Sequence, residues 1–246
     1  MILVIKIFFL LPVYNEEGNL RILLERFHSS VVRLGIEYHI IVFDDGSTDS
    51  SGKILKELSE KYTLTVIGDG LNHGLGYGFA TLLRKCCELS NSDEDVAVVM
   101  DADCTHNPEL IDDMLNNIRH GFDVVIASRY LTDSRIIGVT FWRRILSLGA
   151  SCIMRLLYPI RGVKDYTCGF RAYSLSILRK AFMKFGDQLI QEANFSCMAE
   201  MLIKLRALDA LYVEVPLLLR YDRKIGISKM DVNKTIKSTL RMVLRL

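Results

Sequence analysis

Glu37-Tyr38-His39-Ile40-Ile41-Val42-Phe43-Asp44-Asp45 sets an apolar, β-branched run directly against two adjacent carboxylates, and Val96-Ala97-Val98-Val99-Met100-Asp101-Ala102-Asp103 repeats the arrangement later in the chain. Each apolar stretch has the length and side-chain type of a buried strand, so the acids stand where strands end. In open α/β sheets ligands bind beyond the carboxyl ends of the strands, and paired carboxylates there suit a hard divalent cation carrying phosphates. The pattern points to a metal-dependent enzyme acting on a nucleotide.

Working outward, strand-like runs at Leu3–Leu10, Tyr38–Phe43, Leu64–Ile67, Val96–Met100 and Asp123–Ala127 alternate with helix-like stretches at Glu17–Leu34, Ser51–Tyr62, Gly76–Leu89 and Pro108–Gly121. Alternation of this kind predicts βαβ units and a doubly wound, mostly parallel sheet flanked by helices. Asn107 is placed to cap a helix that Pro108 opens, and Glu109, Asp112 and Asp113 suit its positive end. Beyond Ser128 the alternation fades: Phe141–Tyr158, Ser174–Lys184 and Asn194–Arg206 read as helices, and Leu211–Leu218 as a last strand interrupted by Pro216. No repeat or low-complexity linker marks a second domain. The reading is one α/β domain over residues 1–231, with a nucleotide half at 1–128 and an acceptor half at 129–231, followed by a basic amphipathic tail at 232–246.

Half of the 246 residues are hydrophobic and 24% are charged, enough for one large core and too apolar for disorder. A net charge of +2 argues against nucleic acid as a partner, yet the segment from Arg220 to Leu246 alone carries +6. In it Lys234, Lys237, Arg241 and Arg245 recur at helical spacing, with Ile236, Leu240, Val243 and Leu244 on another side. A helix so built suits an anionic lipid surface, unless it packs on the sheet with its basic face in water. Ile145–Met154, between Arg143-Arg144 and Arg155, is apolar but too short to span a bilayer, as is Met1–Leu11. Cys86, Cys87, Cys104, Cys152, Cys168 and Cys197 form no CxxC pair, which fits buried thiols in a reducing cytosol.

Each motif has a plain structural reading beside the chemical one. Pro12-Val13-Tyr14-Asn15-Glu16 is a stiff turn out of the first strand, or a loop whose Tyr14 and Glu16 face a base or ribose. Asp44-Asp45-Gly46-Ser47 is a turn and capped helix start, or a pair of repelling acids that a cation or a hydrogen-bond donor such as a base N–H or ribose hydroxyl must meet. Asp101-Ala102-Asp103 is an acidic loop before the helix at Pro108, or, if the chain is still extended, two carboxylates on one side that could hold Mg²⁺ or Mn²⁺. Gly74-Leu75-Gly76-Tyr77-Gly78 follows the third strand, not the first, and lacks dinucleotide spacing; its glycines let a helix start approach a ligand, or only loosen a loop.

Taken in order, these motifs resemble the family 2 glycosyltransferases, whose nucleotide-sugar fold is called GT-A. Further on, Ser128-Arg129-Tyr130, Trp142-Arg143-Arg144, Asp165-Tyr166-Thr167-Cys168-Gly169-Phe170-Arg171 and the stretch from Arg223 to Lys229 resemble the polyprenol-phosphate sugar transferases, the dolichol-phosphate mannose synthases among them. The resemblance implies an inverting transfer of a hexose, mannose from GDP-mannose or glucose from a UDP-sugar, to a polyprenyl or dolichyl monophosphate. It implies that Pro12, Tyr14, Glu16, Phe43, Asp45 and Ala102 line the donor site, that Asp101 and Asp103 hold Mg²⁺ or Mn²⁺, and that Arg129, Arg223 and Lys229 meet the phosphates. Arg129, Arg143, Arg144 and Arg171 are the acceptor-phosphate candidates. It implies a peripheral place on the cytoplasmic face of a membrane, with room for a membrane-protein tether. One position departs from the pattern: Thr105 stands where the mannose synthases carry a glutamine metal ligand. That departure leaves open a non-catalytic nucleotide-sugar-binding subunit.

Overall fold

The computed structural model describes residues 5–223 together with Ser238, Arg241, Met242 and Arg245. The apolar run Lys6–Val13 forms β1, buried along nearly its whole length because strands lie on both sides of it and helices cover both faces. After it come α1 (Leu20–Leu34), β2 (Glu37–Asp44), α2 (Ser51–Ser59), β3 (Leu64–Ile67), α3 (Leu75–Leu89) and β4 (Val96–Val99). A 3₁₀ turn at Pro108–Leu110, with Asn107 accepting from the Glu109 amide as the sequence predicts, leads into α4 (Ile111–Arg119) and β5 (Val124–Ser128). The second half supplies β6 (Arg135–Ile137), α5 (Phe141–Leu157), β7 (Arg171–Ser174), α6 (Leu175–Phe185), α7 (Ser196–Arg206), β8 (Tyr212–Pro216) and β9 (Leu218–Arg220), closed by a turn at Tyr221–Arg223.

Seven strands form one sheet in the order β3-β2-β1-β4-β7-β5-β8, and β6 pairs with β9 in a small second sheet. β7 is antiparallel to both of its neighbours, whereas the other six strands run one way, so the sheet is mostly parallel as expected. The carboxyl ends of β1, β2, β4 and β5 therefore share one rim. The register Val99↔Arg171 and Ile126↔Arg171 shows that β7 starts at that same rim. Its lead-in, Asp165–Phe170, is thereby brought beside the ends of β4 and β5. Pro216 ends β8 on the outer edge of the sheet, where its missing N–H breaks no ladder bond.

The glycines of the 74–78 stretch serve close packing. A Cβ on Gly76 would lie 1.7 Å from the Glu192 carbonyl oxygen, and one on Gly78 would lie 2.7 Å from the Phe43 ring. Only hydrogen at these two positions lets α3 seat on β2 and on the segment before α7. Among the described residues, no helix is long and apolar enough to cross a membrane.

Candidate active site

The loops after β1 and β2 are stitched together before any ligand is considered. The amides of Asn15 and Glu16 donate to the hydroxyls of Ser47 and Ser51, and the Thr48 amide donates to Asn15 Oδ1. Asn15 holds φ at +54°, which turns its side chain back over this neighbouring loop. The two adjacent acids part company here. Asp44 Oδ1 accepts from the Ser47 amide, whereas the Asp45 carboxylate accepts from the amides of His73 at 2.6 Å and Gly74 at 3.0 Å. Backbone leading into α3 supplies for Asp45 the kind of donor that the sequence suggests in a base N–H or ribose hydroxyl. Pro12 and Tyr14 are half-buried beside this loop pair, and Glu16 is buried, accepting from Asn19 Nδ2 at 2.7 Å. Phe43 is buried, its ring edge-on to Tyr77 with centroids 5.7 Å apart.

At the end of β4, Asp101 lies against the backbone of Gly169, where a Cβ would come within 3.2 Å of its Oδ1. Ala102 is buried, and Asp103 is 7% exposed with its Oδ1 accepting from both the amide and the hydroxyl of Thr105. Burial pushes the Cys104 thiol up to about 11; Arg26 and Arg223 pull against that rise, while Asp103 and Glu16 add to it. Asp103, Glu16 and Arg223 therefore lie within electrostatic reach of one point. Lys229 lies outside the described residues. His106 is buried and stacked on Phe170, and among the described residues its Nδ1 has no hydrogen-bond partner.

A third group forms where the chain leaves β5. Arg129 grips Asp165 through Nε at 2.7 Å and Nη2 at 2.6 Å, and Nη2 also donates to Thr167 Oγ1 at 2.6 Å. Burial would pull this guanidinium down, but the charge of Asp165 outweighs it and holds Arg129 firmly protonated. Asp165 is fully buried; burial alone would raise its carboxyl, yet Arg129 keeps it below the ordinary carboxylate range. Its own amide donates to Glu214 Oε1, which fixes the turn from beneath. Ser147, on the inner face of α5, sits 3.2 Å from Thr167 Oγ1 and accepts from the Tyr130 hydroxyl at 3.0 Å. Asp165 and Thr167 lie in a motif that carries the family resemblance without a role of their own there, and Ser147 lies in none. The signal for Ser147 was present: in α5 the small polar residues Ser147 and Ser151 face inward while Phe141, Trp142, Ile145, Leu146, Ile153 and Leu156 face outward.

The other candidates divide. Arg144 is exposed in the first turns of α5, and Arg143 shares that turn although its side chain lies outside what is described. Arg171 must be removed from the acceptor candidates: it is fully buried in the sheet, donating to the carbonyls of Met198 at 2.6 Å and Tyr166 at 2.9 Å. Its place at the start of a central strand puts its head group under α7, away from solvent. Arg245 pairs with Glu192 at 3.0 Å and Glu200 at 2.8 Å while its side chain stays 37% exposed. Met242 is fully buried, Ser238 is bonded to Ser196 of α7, and Arg241 is exposed. Lys234 and Lys237 lie outside the described residues.

A sequence profile described as Glycosyl transferase family 2 matches residues 9–182, from within β1 to within α6. The chain belongs to that family. As a family 2 member it is 36% identical over 242 residues to a dolichol-phosphate mannosyltransferase of Pyrococcus furiosus, an alignment covering 98% of this chain and 63% of that protein. It is 31% identical over 230 residues to a polyprenol monophosphomannose synthase of Mycolicibacterium smegmatis, covering 90% of this chain and 80% of the relative. The chain thus spans a little under two thirds of the Pyrococcus protein's length. A solved structure of glucosyl-3-phosphoglycerate synthase from Mycobacterium tuberculosis aligns with a TM-score of 0.63 at 17% identity, covering 98% of this chain and 79% of that one. Likeness at that identity concerns the fold, which is the one the family 2 resemblance implies.

Among the described residues no three His, Cys, Asp or Glu side chains converge as a metal cage. Two carboxylates at an open rim, with Gly169 leaving Asp101 uncrowded, are instead the donor set that Mg²⁺ or Mn²⁺ uses when a substrate's phosphates complete its shell. The residues present fit such a cation.

Proposed function

We propose that this family 2 glycosyltransferase moves mannose from GDP-mannose to a polyprenyl or dolichyl monophosphate, with inversion, at the cytoplasmic face of a membrane. The observation that carries the reading is α5. Its inner side joins a cluster of guanidinium and hydroxyl donors, Arg129, Thr167, Ser147 and Tyr130, while Phe141, Trp142 and Leu156 on its outer side are 70%, 72% and 82% exposed. An anion site roofed by a helix whose outside is apolar suits a molecule that is a phosphate at one end and hydrocarbon at the other. The names of the two curated relatives point the same way.

In this reading Pro12, Tyr14, Glu16 and Phe43 with the Asp45 loop hold the nucleoside, and Ala102 lets the donor pass close to the end of β4. Asp101 and Asp103 would hold Mg²⁺ or Mn²⁺, which supplies Lewis-acid stabilisation of the departing diphosphate. Arg223 and Lys229 add charge-assisted hydrogen bonds to that leaving group. The acceptor phosphate is already ionised near neutral pH, so no strong general base is needed. Arg129 keeps Nε and Nη2 on Asp165 and Thr167, and among the described residues its Nη1 has no partner, so a pre-oriented N–H edge remains for that phosphate. Arg143 and Arg144, in the first turn of the same helix, would counter the repulsion between the two anions. Direct displacement inverts the anomeric carbon.

The test is incubation of the full chain with labelled nucleotide sugars, a short polyprenyl phosphate and Mn²⁺, followed by extraction into organic solvent. Mannose from GDP-mannose should appear as lipid-linked product, and Asp101→Asn and Asp103→Asn should abolish it in folded protein. Label that enters only water-soluble product, or near-normal turnover in those variants, would defeat the proposal.

A further inference from the structure

Thr105 occupies a position where the sequence pattern leads one to expect a long amide side chain reaching the metal. Its own side chain is short, β-branched and 2% exposed, so its rotamer is stiff and its hydroxyl cannot swing outward. That hydroxyl donates to Asp103 Oδ1 at 2.7 Å, and the amide of the same residue donates to the same oxygen at 3.2 Å. Cys104, at φ +61°, folds the chain back so that both donors converge on the carboxylate two residues earlier. The Thr105 carbonyl meanwhile accepts from the Arg220 amide at 2.9 Å. Arg220 ends β9, and three residues on stands Arg223, whose charge is felt at Cys104. One residue therefore grips the carboxylate assigned to the cation and the strand that delivers a cation to the diphosphate.

We propose that Thr105 is a positioning residue: it orients the Asp103 carboxylate for a divalent cation and ties that carboxylate to the β9 segment, in place of a third protein ligand. The inference rests on the metal assignment made above. It has a chemical consequence. With two protein carboxylates and no third side-chain donor converging on them among the described residues, cation affinity should come largely from the donor's phosphates, so Mn²⁺ should bind weakly alone and much more tightly with GDP. Side chains that orient a metal's ligands are worth about ten- to a hundredfold in metal affinity when removed.

The experiment is titration of the full chain with Mn²⁺, read as loss of the free-ion electron paramagnetic resonance signal, with and without GDP. Thermal unfolding reports the fold of each variant. Thr105→Val, which keeps the shape and removes the hydroxyl, should weaken Mn²⁺ binding in the presence of GDP about tenfold or more, while Thr105→Ser stays within about twofold of the wild type. Thr105→Ala replaces the valine variant if that one does not fold. In an Asp103→Asn background the valine change should add nothing, because the group it orients is gone. With donor and acceptor present, the valine variant should regain its rate at high Mn²⁺ without a change in acceptor KM. Wild-type Mn²⁺ affinity in a folded valine or alanine variant would overturn the proposal, as would a serine variant as weak as the valine one. A wild-type chain that binds no Mn²⁺ beside GDP would overturn it through the metal assignment itself, and that failure is read on a separate arm.

Discussion

Replacing Asp165 by Asn tests the buried Arg129–Asp165 pair that is proposed to serve the acceptor phosphate. Five donors converge on this carboxylate: the Arg129 amide, Nε and Nη2, and the amides of Thr167 and Cys168, at 2.6–3.2 Å. An asparagine offers one carbonyl oxygen and turns an NH₂ group toward the remaining donors. Each buried donor left without an acceptor costs about 1–3 kcal/mol. Breaking a buried ion pair from one side costs about 3–5 kcal/mol, because the surviving charge stays in place without its partner. For a chain of this size that corresponds to a fall in Tm of roughly 6–20 °C, to be read by thermal or urea unfolding at pH 7. The pH dependence is fixed by sign. The folded Asp165 carboxyl sits below its ordinary range, so the unfolded chain takes up the proton first. Its contribution is therefore complete above about pH 4, the unfolded carboxyl's pKa, and is lost as pH falls through the lower folded value. Asparagine does not titrate there, so the gap between wild type and variant should be flat from neutrality down to about pH 5 and close in stronger acid. A shift in Tm of less than about 2 °C, or a gap that widens on acidification, would refute the reasoning.

Arg171→Ala should cost about 3–5 kcal/mol, since it opens a cavity and orphans the carbonyls of Met198 and Tyr166; urea unfolding measures this, and a stable variant with a selectively raised acceptor KM would return Arg171 to the acceptor site. Gly76→Ala should destabilise by about 1–3 kcal/mol or more by driving a methyl into the Glu192 carbonyl, whereas Gly149→Ala, in α5 with nothing within 4 Å, should stabilise by about 0.5–1 kcal/mol. Phe141→Ser with Trp142→Ser should leave folding intact and cut liposome binding by at least tenfold, given about 1.5–3 kcal/mol for each large side chain buried in lipid; unchanged flotation would remove α5 from the membrane contact.

The sheet was legible where burial on both faces produces unbroken β-branched runs, and Leu64–Ile67 was placed to the residue. β7 was not, because a strand that opens with arginine does not read as central until the partners of that arginine are known. β6 and β9, three residues each, exist only through their pairing across the chain, Arg135↔Leu218 to Ile137↔Arg220. The positions of Asp101 and Asp103 at the rim followed from strand length alone. That Asp165 would meet Arg129 did not, since it depends on β7 running backwards into the sheet and so delivering its preceding loop to the end of β5. Asp45 taught the same lesson: the sequence suggested a base N–H or ribose hydroxyl as its donor, whereas the amide that reaches it is backbone twenty-eight residues away, just before α3. In the tail, helical spacing identified the cations but not that Arg245 would be taken by Glu192 and Glu200.

The most direct test of the central claim is an anomalous-difference map at the manganese edge, from crystals soaked with Mn²⁺ and GDP-mannose, the proposed donor. The account predicts one peak touching Asp101 or Asp103 and the diphosphate, with the nucleoside against Pro12, Tyr14 and the Asp45 loop. A diphosphate seated elsewhere, or a manganese peak remote from both carboxylates, would contradict it.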